Sequence, residues 1–365
     1  MEVLCTTCCQ EKRPTATPLP ASHLYLSKRL HDVLEEGERL GKVVLILSGK
    51  FGLVRPQDLL PWYDHALLPQ EVEGLVPQLT EALSRIGVSQ IHFYALPATT
   101  PGWRPYHEAL ERACWKLGIP VQHALPFGTE PPTETATAQR LREQGFTRIR
   151  AALSSEEVRT FKECLSKESW NRHEGNTDSG GVRNLLQRSK VVAQLCRAGK
   201  LQEIANDAIG VGSRAVKATL FDKKLGANWK VPFHQDLTIA VQARHEAPGF
   251  GPWSTKEGIP HVQAPTEILD SMVALRLHLD DCPANNGALR VIPGSHRLGR
   301  LPHESISRLR QGDRETLCEA SAGDVWLMKP LLFHASSRSD QPTHRRVLHV
   351  EYSAMTLPAG LRWAE

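Results

Sequence analysis

Apolar positions along this chain follow two different regimes. In the first third, Lys42-Val-Val-Leu-Ile-Leu-Ser48 is a short β-branched apolar run closed by Gly49, and Ile91-His-Phe-Tyr-Ala95 is a second run of the same kind. Between them, Val72, Leu75, Val76, Leu79, Leu83 and Ile86 recur at intervals of three and four, which predicts a helix within Pro69 to Ile86. Strand, helix and strand in that order predict a small α/β domain.

From about Arg214 the pattern changes to short strands at Ala215 to Phe221, Val231 to Gln242, Met272 to Leu279, Ala288 to Ile292, Asp324 to Met328 and Arg345 to Tyr352. Turn signals such as Asn285-Asn-Gly287, Pro293-Gly294 and Ala322-Gly323 separate them. Many strands joined by loops of uneven length predict a double-sheet jelly roll. Ahead of them, Ser154 and Glu157 have capping-box spacing for a helix. The stretch from Gly128 to Ala138 replaces apolar periodicity with Pro, Thr and Glu, as a linker does. The expected organisation is an α+β chain of two domains: a small α/β domain over 1–128, a linker over 129–138, and a double-stranded β-helix (jelly roll) with flanking helices over 139–365.

Composition places this chain among ordered globular proteins. Its 365 residues are 41% hydrophobic and 23% charged, enough apolar content for two cores and too much for a disordered chain. The net charge is +4. Residues 1–128 carry 12 Lys+Arg against 13 Asp+Glu, a balance of −1, which leaves 32 against 27, or +5, for the remainder. So small a surplus does not make a nucleic-acid footprint and suits an anionic small substrate equally well. The eight cysteines lack the dense spacing of a secreted disulfide scaffold, and neither a signal peptide nor a membrane span is visible. A reducing cytoplasm is the expected compartment.

Chemistry concentrates in Phe233-His-Gln-Asp236, Leu331-Leu-Phe-His-Ala-Ser-Ser337 and Arg345. In an extended strand, side chains two apart share a face, so His234 and Asp236 at the start of a strand can present an imidazole beside a carboxylate. With His334 they make the two-histidine, one-carboxylate set that holds non-haem Fe(II) and leaves positions open for a co-substrate and O2. The tripeptide alone is uninformative, because His278-Leu-Asp280 repeats it. That copy ends a strand and is expected to cap it.

From about Gly145 to Tyr352 the chain resembles the phytanoyl-CoA dioxygenase family of Fe(II)/2-oxoglutarate oxygenases. The matching pieces are Gly145-Phe146 with Leu153-Ser-Ser-Glu-Glu157, Phe233-His-Gln-Asp236, Asn286-Gly-Ala-Leu-Arg-Val-Ile-Pro-Gly-Ser-His296, Gly323-Asp-Val325, and His334-Ala-Ser-Ser337 with Arg345 eleven residues after His334. The resemblance implies that His234, Asp236 and His334 bind iron, that 2-oxoglutarate is the co-substrate, and that Arg345 grips its distal carboxylate. A guanidinium is a planar two-pronged donor matched to that group. Ser336, on the face of His334, is expected to add a hydrogen bond, and Arg346 to point the other way. Related halogenases replace the carboxylate ligand with a small residue; this chain keeps Asp236, so hydroxylation of a C–H bond, with release of succinate and CO2, is the expected outcome.

Other residues have weaker claims. Lys217 is a candidate carboxylate partner, Trp229 and Trp253 are candidate walls of a substrate pocket, and Arg290, His261 and Gln263 are candidate substrate contacts. His296 is read as structural.

The first 128 residues resemble an uncharacterised small domain of bacterial and phage proteins, on Cys5-Thr-Thr-Cys-Cys-Gln-Glu-Lys12, Leu24-Tyr-Leu-Ser27 and Leu47-Ser-Gly-Lys-Phe-Gly-Leu53. A distant similarity to nucleobase-modifying proteins keeps a nucleoside-type substrate open. The Ser-Gly-Lys-Phe-Gly loop suits either an anionic or nucleobase ligand or simply a tight turn, with Ser48, Lys50 and Asp64 as its polar residues. Cys5, Cys8 and Cys9 are three thiols where a structural zinc wants four ligands, so free thiols are expected, with His23 the only nearby supplement. Two classes therefore stand: an oxygenase acting on a small molecule, and a ligand-binding or scaffold protein that keeps the fold without turnover.

Overall fold

The computed structural model describes all residues except 99, 128–133, 168–180, 225, 303–314, 341–343 and 365. The chain folds as two compact units, Met1–Thr133 and Glu134–Glu365.

In the first unit a five-stranded sheet runs in the order Gly52–Val54, Val43–Ser48, Glu2–Thr7, Gln90–Tyr94, Val121–Ala124. The last four strands are parallel, and Gly52–Val54 returns antiparallel to Val43–Ser48. The two apolar runs seen in the sequence are two of these strands, and the periodic segment is the helix Val72–Ile86 after a short 3-10 turn at Pro69–Glu71. Parallel strands are covered on both faces, which explains their continuous apolar character. The central strand, Glu2–Thr7, is not evident from the sequence: Cys5 is a buried strand residue packed with Val3, Leu45 and Phe93, not part of a ligand motif.

In the second unit the helix Ala136–Gln144 begins inside the stretch expected to be linker, because the Thr135 side chain accepts the Ala138 amide at 3.1 Å and caps it. The next helix, Ser155–Lys167, has the expected capping box: the Ser154 amide donates to Glu157 at 2.7 Å, and the Glu157 amide to Ser154 Oγ at 3.2 Å.

Two antiparallel sheets follow. One is six-stranded, in the order Phe146–Ile149, Val325–Met328, Met272–His278, Arg345–Ser353, Arg214–Lys223, Gly181–Val182. The other is four-stranded, in the order Val231–His234, His334–Ser336, Leu289–Val291, Thr316–Cys318. Ala274 and Met328 of the first pack with Leu289, Val291 and Cys318 of the second, so the sheets face each other across a shared core, as in a jelly roll. A separate ribbon of Thr238–Ala240, Ile259–Gln263 and Trp253–Lys256 encloses a further core with Ile239, Val262 and Trp363.

The two faces of the six-stranded sheet differ in kind. Val273, Leu275, Leu277, Leu348, Val350 and Ala218 point to the helices and pack against residues such as Phe161, Val192 and Leu201. Each such valine or leucine contributes about 2 kcal/mol by leaving water. The alternate positions of the same strands carry Lys217, Lys223, Arg276, Arg345, His349 and Glu351, and all but Lys217 are buried. Buried charge costs several kcal/mol per ion unless compensated, so a sheet face of this kind marks a site rather than a core. Among the described residues no helix is long and apolar enough to cross a membrane.

Candidate active site

The strand Val231–His234 pairs antiparallel with His334–Ser336 and places His234 opposite His334, with ring centroids 4.2 Å apart. The ladder stops there. The Asp236 amide donates to the Pro330 carbonyl at 2.9 Å instead of to a strand partner. Gln235 turns away and is buried, donating to the carbonyls of Gly299 (2.8 Å) and Leu331 (2.7 Å) and accepting the Leu301 amide (3.0 Å). The single strand expected over Val231 to Gln242 is therefore two, Val231–His234 and Thr238–Ala240, and His234 closes a strand rather than opening one.

That break lets Asp236 sit beneath both imidazoles. Its two carboxylate oxygens lie 3.6 Å from His234 Nε2 and 3.6 Å from His334 Nε2, too far for hydrogen bonds, and one ligand atom from each residue falls within 4.8 Å of the others. The Nδ1 atoms of His234 and His334 lie 2.9 Å from the carbonyls of Pro232 and Leu332. A carbonyl can only accept, so each Nδ1 carries the proton and each Nε2 lone pair faces the carboxylate, the outer-shell arrangement that orients a metal-binding imidazole. Burial, partly offset by Asp236, pushes His334 down to about 3 and keeps it neutral. Burial also lowers His234, but Asp236 outweighs it and the pKa is raised. Asp236, which burial would raise, is held well below the usual carboxylate range by His334 and His234. The donor set is two imidazoles and one carboxylate, which fits a divalent transition metal.

Beside it lie three buried cations that have no carboxylate within ion-pair distance among the described residues: Arg345, Lys223 and Arg276. Lys223 stands opposite Arg345 in the sheet. Arg345 donates to the Gly287 carbonyl, and its Nε finds no partner among the described residues. Gly287 has φ +65, and a Cβ there would stand 3.3 Å from Lys223 Nζ, so this turn needs glycine. Lys223 donates to the Ser337 carbonyl (2.5 Å) and Ser336 Oγ (3.0 Å), and its ammonium lies 5.4 Å from the Trp229 ring centre. Burial, with Arg345 and Arg276 alongside, pushes Lys223 down to about 7. The same desolvation, with Arg345 nearby, brings Arg276 to about 10; its NH1 lies 3.3 Å from His349 Nδ1.

The remaining candidates separate clearly. Ser336 is buried and accepts from Lys223, and Trp229 lies beside the same ammonium. Lys217 does not offer a free ammonium: it is paired with buried Glu351 at 2.5 Å, and Glu351 also lies 3.5 Å from His349 Nε2. Arg290 is corrected outright. It stands opposite Ala335, between the positions opposite His334 and Ser336, so strand alternation sends it to the other face, where it pairs with Glu315 at 3.0 Å and stacks 5.3 Å from Phe233. Trp253 packs against the Ile239–Val262 core with Arg244 over its ring at 5.5 Å, which gives it a structural place. His261 is buried with Nδ1 3.0 Å from the Ile259 carbonyl, and Gln263 accepts from Arg300. His296 Nε2 meets the Arg142 carbonyl at 3.1 Å, while neighbouring Ser295 accepts the Phe333 amide at 2.9 Å and so anchors the residue before His334.

His278-Leu-Asp280 caps a strand end. His278 is buried, burial pushes it to about 3, and neither ring nitrogen finds a partner among the described residues. Asp280 accepts from the Arg346 amide (2.9 Å), the Arg346 guanidinium (2.8 and 2.7 Å) and Lys162 (2.8 Å), and Arg346 indeed points away from Arg345. Lys223, Arg276, His349 and Glu351 are site residues that the sequence reading passed over. Their signal was that these charged residues of otherwise apolar strands fall on one alternating face.

In the first unit the three thiols are free and do not converge: Cys5 is in the core with its thiol pushed up to about 12 by burial, Cys8 Sγ lies 3.8 Å from Tyr106 Oη, and Cys9 Sγ 2.8 Å from the Glu11 carbonyl. His23 and Asp64 are exposed. Among the described residues, the group able to hold a metal is His234, Asp236 and His334.

The chain belongs to the phytanoyl-CoA dioxygenase family, whose model matches residues 141–347. No curated protein sequence matches it. Among solved structures it is similar to AviO1 from Streptomyces viridochromogenes Tue57, at 21% identity over 63% of this chain and 99% of that one, with a TM-score of 0.44. It is also similar to SnoK, a non-heme alpha-ketoglutarate-dependent carbocyclase from nogalamycin biosynthesis, at 20% identity over 61% of this chain and 87% of that one, TM-score 0.44. A third is HygX from Streptomyces hygroscopicus with nickel, 2-oxoglutarate and hygromycin B bound, at 17% identity over 60% of this chain and 86% of that one, TM-score 0.43.

Proposed function

We propose that the Glu134–Glu365 unit is an Fe(II)- and 2-oxoglutarate-dependent dioxygenase that hydroxylates a C–H bond of a small molecule, with release of succinate and CO2. The observation that carries this reading is the adjacency of two features: a pinned His-Asp-His face, and a buried group of cations with no carboxylate in ion-pair range among the described residues. The first fits a divalent metal and the second a dicarboxylate. Iron bound there supplies the oxidising power, with O2 and 2-oxoglutarate as its co-reactants.

The chain's own residues orient and exclude. His234, Asp236 and His334 would hold the metal, with Nδ1 of each histidine spent on a carbonyl so that neither ring can rotate away. Arg345 presents its fork to the distal carboxylate of the co-substrate, and Lys223 and Ser336 meet the same group from the neighbouring strands. Arg276 adds positive charge behind them, and the Lys217–Glu351–His349 set keeps the flank of Asp236 electrostatically balanced. His334, Arg345, Lys223, Ser336 and Arg276 are buried, which keeps bulk water from them and strengthens their interactions, whereas His234 and Asp236 are half-buried at the open side.

The test is succinate formation from 2-oxoglutarate by the purified chain supplied with Fe(II) in air. Activity that requires iron and is lost in Asp236→Ala supports the proposal; wild-type protein that neither turns over 2-oxoglutarate nor is stabilised by it refutes it. Mass spectrometry of metabolite and nucleoside mixtures before and after incubation identifies the substrate.

A further inference from the structure

The Met1–Thr133 unit contains its own unmatched positive charge, gathered at the carboxyl ends of the strands Glu2–Thr7 and Val43–Ser48. Lys12 is 8% exposed, and its ammonium lies 4.4 Å from the Tyr63 ring centre and 6.0 Å from that of Tyr25. Its hydrogen bond to the Gln10 carbonyl is long, at 3.4 Å, and no carboxylate among the described residues lies within ion-pair distance. Lys50, exposed at the rim, lies 5.7 Å from the same Tyr63 ring. A third cation, Arg29, donates to Thr6 Oγ1 and to the carbonyls of Thr7 (3.0 Å) and Cys8 (3.3 Å) and lies over Trp103, with no carboxylate in ion-pair range among the described residues.

The polar groups around these cations form a connected set. Tyr63 Oη is 2.6 Å from Tyr25 Oη and 2.9 Å from Ser48 Oγ, and Ser48 accepts the amides of Lys50 (3.3 Å) and Phe51 (3.2 Å). The turn amides are thus spent within the protein, and the capacity left over belongs to the lysines. Thr7 Oγ1, at the end of the first strand, is buried without a partner among the described residues.

An aromatic face and one long hydrogen bond compensate a buried ammonium only in part, so Lys12 is undercompensated as it stands. The location is also the one where open α/β sheets bind ligands. The chain passes from Glu2–Thr7 to the neighbour on one side and later to the neighbour on the other, which makes this strand the switch point, and ligands sit outside the carboxyl ends there.

We propose that Lys12 and Lys50 form a binding site for a phosphate monoester, with the phosphate between the two ammonium groups and Tyr63 beneath. A carboxylate would neutralise one lysine; a phosphate monoester, with a charge of about −1.5 to −2 at neutral pH, matches both. This site is in a different unit from the iron site and does not depend on the oxygenase reading.

Isothermal titration of the full chain with phenyl phosphate, inorganic phosphate and benzoate tests it. Saturable binding of both phosphates, weaker binding of benzoate, and a loss of about tenfold or more in phosphate affinity in Lys12→Met and in Lys50→Met are expected. Lys50 is exposed, so that variant folds whatever Lys12 does for the core. Arg345→Met, which removes a buried cation of the other unit, leaves the affinity unchanged. The site is refuted if neither phosphate binds, if benzoate binds as tightly, if binding survives Lys50→Met, or if Arg345→Met abolishes it.

Discussion

His234-Gln-Asp236 and His278-Leu-Asp280 have the same spacing and opposite fates. In the second, His278 ends an intact strand and Asp280 is consumed by Arg346 and Lys162, so the carboxylate ties strand to helix and the imidazole is left alone in the interior. In the first, the strand breaks after His234, Gln235 anchors the break, and Asp236 is released from the ladder to face two imidazoles. A tripeptide becomes a metal face when its backbone leaves the sheet and its carboxylate has no cation of its own. The motif supplies the atoms; the break supplies the convergence.

Substitutions sharpen that contrast. Asp236→Ala should reduce succinate formation by more than the 10–100-fold typical of changes one shell further out, since it removes a ligand rather than its support. Arg345→Met and Lys223→Met should each raise the 2-oxoglutarate concentration for half-maximal turnover by about 10–100-fold, as expected for losing a hydrogen bond to a charged group worth about 1.5–3 kcal/mol. Steady-state kinetics at varied co-substrate reads this directly, and an unchanged KM in both would remove the cationic cluster from the account.

A smaller effect follows from Lys223, whose pKa in the folded chain is about 7. A dicarboxylate favours its charged form, so binding above neutral pH takes up a proton, and 2-oxoglutarate affinity should fall as pH rises from 7 toward the ordinary lysine range. Lys223→Met should flatten that dependence. The stability linkage has the opposite sense: because the folded pKa is depressed, the chain gains stability as pH rises through the same window. Smallest of all for catalysis is Asp280→Asn, which should leave turnover per folded molecule intact and lower thermal stability by about 1–3 kcal/mol. Asp280 is held at about 2, so its stabilising contribution is present above the ordinary aspartate value and is lost as pH falls through 2.

The convergence of His234, Asp236 and His334 and the inward position of Arg345 were legible in the sequence because the proposed metal and carboxylate recognition would restrict residue type and spacing. So were most strands of the two antiparallel sheets and the helix Val72–Ile86, whose periodicity reflects one buried face. The break at Asp236 was not legible, because it depends on an amide finding the distant Pro330 carbonyl. Arg290 was misplaced because alternation within a strand is visible in sequence but the choice of inner face is not. Lys223 and Arg276 escaped for a related reason: a charged residue in a strand ordinarily marks the solvated face, and here that face turns inward. In the first unit, the threonines that end Glu2–Thr7 and the closely spaced Cys5, Cys8 and Cys9 hid a central strand.

The most direct test of the central contrast is an anaerobic calorimetric titration of Fe(II) into wild-type, Asp236→Ala and Asp280→Asn chains. One tight site is expected in wild type and in Asp280→Asn, and none in Asp236→Ala. Tight binding retained by Asp236→Ala, or lost in a folded Asp280→Asn, would contradict it.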